Sequence, residues 1–126
     1  MHIEHLAIWV HDLEKMRAFY EHYFNANSNE KYTNPKKQFS SYFLAFDGGC
    51  RLELMHTPHI AEALDQTQLG LAHFAVSVGS KQAVDQLTEQ LQNDGYEVTG
   101  APRTTGDGYY ESVVLDPERN QIEITV

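Results

Sequence analysis

Basic residues are scarce in this chain of 126: nine lysines and arginines stand against 18 aspartates and glutamates, for a net charge of -9. Those few are scattered, with no basic patch longer than Lys36-Lys37, so no electrostatic footprint awaits a polyanion and nucleic acid is not an expected partner. Cysteine is nearly absent too. Cys50 alone excludes an internal disulfide framework, and at the head of "CRLELM" it reads as a small buried hydrophobe, not a reactive thiol. No run of about eighteen apolar residues occurs, which excludes a membrane-spanning helix. The opening "MHIEHLAIWV" lacks the basic start, long apolar stretch and small-residue cleavage site of a secretion signal. The expected setting is the cytoplasm.

What is present is a repeat. "EHLAIWVHD" at residues 4 to 12 has a counterpart in "AHFAVSVGS" at 72 to 80, and "YFLAFDGGCRLELM" at 42 to 55 has one in "ESVVLDPERNQIEIT" at 111 to 125. His5 and His73 are 68 residues apart, Asp47 and Asp116 69, Glu53 and Glu123 70. Such a drift fits single-residue insertions in loops. Each half therefore reads as β-α-β-β-β. In the first, a strand over 3 to 10 leads through the N-cap Asp12 into a helix with Leu13, Met16, Phe19, Tyr20 and Tyr23 on one stripe. Strands near 28 to 33, 38 to 46 and 50 to 56 follow, the last two joined by Asp47-Gly48-Gly49. In the second, strand 71 to 78 precedes helix 81 to 94, with Val84, Leu87 and Leu91 inward and Gly95 as C-cap, then strands near 96 to 100, 108 to 115 and 120 to 126. The expected organisation is one α+β domain of two modules, 1 to 56 and 71 to 126. The connector, 57 to 70, is expected to hold a short helix around Ile60 to Leu64.

A four-stranded sheet with one helix has one covered face and one open face, so two modules must pair, within a chain or across a dimer. Strand parity assigns residues to these faces. Leu6, Ile8 and Val10 belong to the helix side of the first strand, leaving His5, Ala7 and Trp9 on the other. His73, Ala75 and Ser77 follow the same sense, Glu53 opposes Leu52 and Leu54, and Glu123 opposes Ile122 and Ile124. Two histidines and two glutamates thus share the open faces at matching positions. Neutral imidazoles with carboxylates suit a divalent transition metal: Zn²⁺, Ni²⁺, Co²⁺ or Fe²⁺. The small Ala7 and Ala75 leave room for a ligand-sized cup. His2, His11, His22 and His59 read as solvated surface, and His56, an odd step from Glu53, faces the other side. Tyr109 and Tyr110, in "GDGYYES", are candidates for the cup rim.

At these residues the chain resembles the glyoxalase I, bleomycin-resistance and extradiol-dioxygenase superfamily, the vicinal oxygen chelate proteins. "EHLAIWVHDLEKMRAFY", "LAHFAVSV" and "VVLDPERNQIEI" look like its repeated modules, with Arg119 where the DPxGN-type turn usually has glycine. The resemblance implies half-barrel sheets forming a metal cup, His5, Glu53, His73 and Glu123 as metal ligands, and a homodimer. The implied activity is a glyoxalase I-like (lactoylglutathione lyase-type) isomerisation of a thiol hemithioacetal, with Glu123, or alternatively Glu53, as the base. The glutathione-dependent enzymes carry an arginine where this chain has Trp9, and their lysine before the last ligand lacks a match in "GYYESVV". The resemblance therefore leaves the thiol open. Trp9, Arg103, Tyr109 and Tyr110 are the expected substrate contacts. Two rival readings are a bleomycin-resistance-like binding module without catalysis and a fosfomycin-type thiol transferase.

Overall fold

The structure is a computed structural model that describes residues 1 to 61 and 70 to 126. It divides into two compact units, Met1–Leu64 and Asp65–Val126. The helix expected around Ile60 to Leu64 falls in part on residues 62 to 64, outside the described residues. Among the described residues no helix is long and apolar enough to cross a membrane.

The first unit runs β1 (His5–Trp9), α1 (Leu13–Phe24), β2 (Asn27–Ser28), β3 (Tyr32–Asn34), a one-turn 3-10 helix (Pro35–Lys37), β4 (Phe39–Ala45) and β5 (Arg51–His56). Its sheet has the order β1-β5-β4-β2, with β3 also on β4. The second runs β6 (Phe74–Ser77), α2 (Lys81–Asn93), β7 (Val98–Thr104), β8 (Tyr110–Leu115) and β9 (Gln121–Thr125), in the order β6-β9-β8-β7. In both, the first strand lies parallel to the last and every other pairing is antiparallel. The α+β architecture of two β-α-β-β-β modules is the expected one.

Local chemistry sets the elements. Asp12 accepts a hydrogen bond from the Lys15 amide at 2.9 Å and Ser80 one from the Ala83 amide at 3.2 Å, so each helix begins on a side-chain cap. The α1 stripe is Leu13, Met16, Phe19, Tyr20 and Phe24. Phe24, not Tyr23, completes it. In α2 the buried positions are Val84, Thr88 and Leu91, so a threonine takes the inward place expected of Leu87, the spacing i, i+4, i+7 prevailing over side-chain polarity. Asp94 caps this helix, and Gly95, at φ 93°, follows it.

The single strand expected near 28 to 33 is two short ones, and β7 extends well past residue 100 with register shifts against β8. Gly100 permits close approach there: a Cβ would stand 3.1 Å from Val113 Cγ2. Under each helix the strands supply the core, Ile8, Leu44, Leu52 and Leu54 in the first unit and Val114, Ile122 and Ile124 in the second. Each such side chain contributes about 1.5 to 3 kcal/mol. The residues between them are turned to the opposite face.

Candidate metal centre

The strand registers place the candidate ligands rung by rung. Ala7 is level with Glu53, and His5 with Arg51, two residues earlier on the same face. In the second unit Ala75 is level with Glu123, and His73 stands just before β6. Within each unit the histidine turns its Nε2 toward the glutamate: His5 Nε2 lies 4.0 Å from Glu53 Oε2, and His73 Nε2 lies 3.2 Å from Glu123 Oε1. The histidines are about two-fifths exposed, while Glu53 and Glu123 keep only 14% and 21% of their side-chain surface. Among the described residues no group of three or more His, Cys, Asp and Glu is arranged to hold a metal ion. Each unit presents one such histidine–glutamate pair.

The first pair has a supporting shell. Glu4 contacts His5 Nδ1 and accepts from Arg51 Nε at 2.8 Å. The bonds from His5 and then Arg51 hold the Glu4 carboxyl below the usual carboxylate range. Arg51 lies over the Phe43 ring at 4.2 Å, and Phe43 meets the His5 ring edge to face at 5.2 Å. A carboxylate on Nδ1 fixes both the tautomer and the plane of the ring, leaving the lone pair on Nε2. His56, which shares the strand with Glu53, instead places Nδ1 2.9 Å from the Val10 carbonyl oxygen.

The expected substrate contacts divide. Trp9 is half exposed on the face of His5 and Ala7, and Arg103 stands exposed across from Glu111, two residues along from the Val113–Glu123 pair. Tyr109 is also exposed, at a turn closed by its amide bonding Thr105 Oγ1 at 3.1 Å. Tyr110 departs from the expectation of a rim pair. Its hydroxyl donates to Asp85 Oδ1 at 2.7 Å and Lys81 Nζ lies over its ring at 4.9 Å, both on α2, so it belongs to the helix side of the sheet. Its phenol is raised above the ordinary value by that bond and by burial.

Sequence reasoning missed an aromatic cavity of about 370 Å³ in the first unit, lined by Trp9, Tyr32, Asn34, Lys37, Phe39 and Thr57. Parity was the available signal: Phe39, Ser41 and Phe43 of β4 fall on the face of Glu53, since Phe43 pairs with it.

The sequence pattern of the Glyoxalase/Bleomycin resistance protein/Dioxygenase superfamily matches residues 2 to 124. The chain belongs to this superfamily. Its members bind small molecules and divalent metals. A Bacillus subtilis relative, the uncharacterized protein YqjT, is 28% identical over 127 residues, covering 97% of this chain and 96% of its own. The fold matches the glyoxylase/bleomycin resistance protein/dioxygenase domain from Frankia with a TM-score of 0.85 at 20% identity, over 100% of this chain and 97% of that one. Glyoxalase I from Zea mays matches with a TM-score of 0.77 at 22% identity, over 98% of this chain, which spans 44% of the maize chain. The superfamily's fold and the repeated histidine–glutamate pairs thus occur together in one chain.

Proposed function

We propose that this protein is a metal-dependent lyase or isomerase of glyoxalase I type, converting the hemithioacetal of a 2-oxoaldehyde and a thiol into a 2-hydroxyacyl thioester. The observation that carries the reading is the His–Glu pair present on equivalent strands of both modules. Two donors each about 2 Å from one tetrahedral or octahedral ion stand roughly 3 to 3.5 Å apart. His73 and Glu123, at 3.2 Å, meet that spacing, and His5 and Glu53, at 4.0 Å, need close only a little further. The donor chemistry fits Zn²⁺ or Ni²⁺, with Co²⁺ and Fe²⁺ also accommodated.

His5, Glu53, His73 and Glu123 hold the ion in this reading, in a homodimer whose sites draw a pair from each kind of module. The ion supplies Lewis-acid stabilisation of negative charge on the substrate's vicinal oxygens. Glu123 does the proton work: its carboxylate takes the C–H proton and returns it to the neighbouring carbon, so no net proton is consumed. Glu53 is the alternative base. The low exposure of both carboxylates favours this role by keeping water from competing for the proton.

The test pairs metal analysis with turnover. Wild-type protein purified without chelator should carry a transition metal that the His73→Ala/Glu123→Gln variant lacks, as read by plasma mass spectrometry. Isomerisation of the methylglyoxal hemithioacetals of several thiols should fall by about 10²- to 10⁴-fold in Glu123→Gln. Metal-free wild type after incubation with Zn²⁺ or Ni²⁺, or undiminished turnover in the variant, sinks the reading.

A further inference from the structure

We propose that the aromatic cavity of the first module is the recognition site for a planar aromatic carboxylate, and that the substrate carries such a group. The inference rests on the function proposed above in one respect: it names the class of substrate that the same face would present to the metal.

Three rings form the walls. Trp9 meets Phe39 at an interplanar angle of 90° and 6.3 Å between centroids, and Tyr32 meets Phe39 at 59° and 6.2 Å. A corner of rings set this way lets a flat guest stack on one wall while offering its edge to the other. Trp9 and Tyr32 are each about half exposed, at 51% and 52%, and large rings held open together mark a binding surface.

The corner is held in advance. Asn34 bonds the Lys37 amide through Oδ1 at 3.2 Å and reaches the Tyr32 hydroxyl through Nδ2 at 3.5 Å, and Pro35 starts the 3-10 turn between them. A preset wall lowers the ordering cost of binding.

Charge selects the guest. Lys37 lines the cavity and no ion pair holds its ammonium among the described residues. In a chain of net charge -9, one cation beside three rings favours a guest with one anionic group on an aromatic body.

Position connects the cavity to the first pair. Trp9 is level with Met55, two residues beyond Ala7 and Glu53 on the same face, so the ring corner begins roughly 7 Å along the strand from Glu53. A single aromatic group spans that gap. The second module has a serine at the equivalent place: Ser77 stands 68 residues after Trp9, the spacing of His5 and His73.

Trp9 is the sole tryptophan, so its emission reports occupancy directly. Phenylacetate, its uncharged analogue phenylacetamide and the non-aromatic cyclohexylacetate are titrated into the full chain before and after chelation, with calorimetry as the second readout. We expect saturable quenching by phenylacetate, about tenfold weaker binding of the other two, and about a tenfold loss for phenylacetate alone in Lys37→Gln. Binding should persist in chelated protein and in His73→Ala/Glu123→Gln, so loss of metal and loss of the cavity are separable results. Equal affinity for acid and amide, an unchanged Lys37→Gln, or no saturable binding of any ring overturns the proposal. So does emission that shifts only with protein concentration, which would make the corner a contact between copies of the chain.

Discussion

The two histidine–glutamate pairs share one strand frame and differ in what secures them. His73 and Glu123 stand 3.2 Å apart, with no further partner fixing the imidazole among the described residues. His5 and Glu53 stand wider, at 4.0 Å, but Glu4, Arg51 and Phe43 fix the His5 ring from behind. One pair is set in distance and the other in orientation. A duplicated module can thus keep its donors while its supporting shells diverge, because the period-two strand alone places the donors on one face.

The largest effect should come from removing a primary donor. His73→Ala is expected to weaken Zn²⁺ binding by about 100- to 1000-fold, a quarter share of a four-ligand site. His5→Ala should do less, because its pair must first close up. Competition against a chromophoric chelator gives both constants. A greater loss in His5→Ala would reverse the comparison and make orientation worth more than spacing.

Next is the shell that, among the described residues, surrounds the first pair and not the second. Glu4→Gln removes the anionic acceptor at His5 Nδ1 and should weaken metal binding by about 10- to 100-fold, with circular dichroism unchanged. Ala72, which precedes His73 as Glu4 precedes His5, offers the converse experiment. Ala72→Glu should tighten binding if a carboxylate at that position is what the second pair lacks. An unaffected Glu4→Gln would reduce Glu4 to a surface ion pair with Arg51, worth little.

Much of this was legible because it depends on local rules. Alternation alone separated His5 from Leu6 and Ile8 and Glu53 from Leu52 and Leu54, and the cap Asp12 appears where a short polar residue precedes an apolar stripe. What escaped depends on register between distant strands or on polar residues in apolar places. Tyr110 lies on the helix side because β8 pairs Ser112 with Ile124 and Val113 with Glu123, which the run "GYYES" does not announce. The aromatic cavity depends on β3 folding back on β4 to bring Tyr32 to Phe39. Thr88 was passed over for Leu87 because hydropathy does not foresee a partner hydroxyl.

That hydroxyl pair contrasts the two cores. Thr88 Oγ1 lies 2.6 Å from Ser112 Oγ and donates to the Val84 carbonyl at 2.6 Å, all buried. The position 68 residues before Thr88 is Tyr20, and the rung equivalent to Ser112 holds Tyr42, so the first unit fills the same space with aromatic volume. Thr88→Val should cost about 1 to 2 kcal/mol by stranding the serine hydroxyl, whereas Thr88→Val/Ser112→Ala should recover much of it. Urea denaturation of both variants decides this. A double variant as weak as the sum of its parts would mean that the pair acts through packing and not through its bond.

The smallest effect concerns the turn before the last strand of each module. Gly49 takes φ 76° in the first, and Arg119, 70 residues later as Glu123 is from Glu53, takes φ 69° in the second. A left-handed conformation costs a residue with a Cβ about 1 kcal/mol or more relative to glycine. The second turn sustains it because Asp116 accepts from the Glu118 and Asn120 amides and the Asn120 side chain, and Arg119 pairs with Glu97 at 3.0 Å. The exposed ion pair offsets at most part of that cost. Arg119→Gly should therefore raise the urea midpoint slightly, by up to about 1 kcal/mol at unchanged slope, and Gly49→Ala should lower it by a similar amount. If Arg119→Gly is instead destabilising, the bond to Glu97 outweighs the backbone preference. The two turns would then be different solutions to one geometry, not the same solution with a strained residue in it.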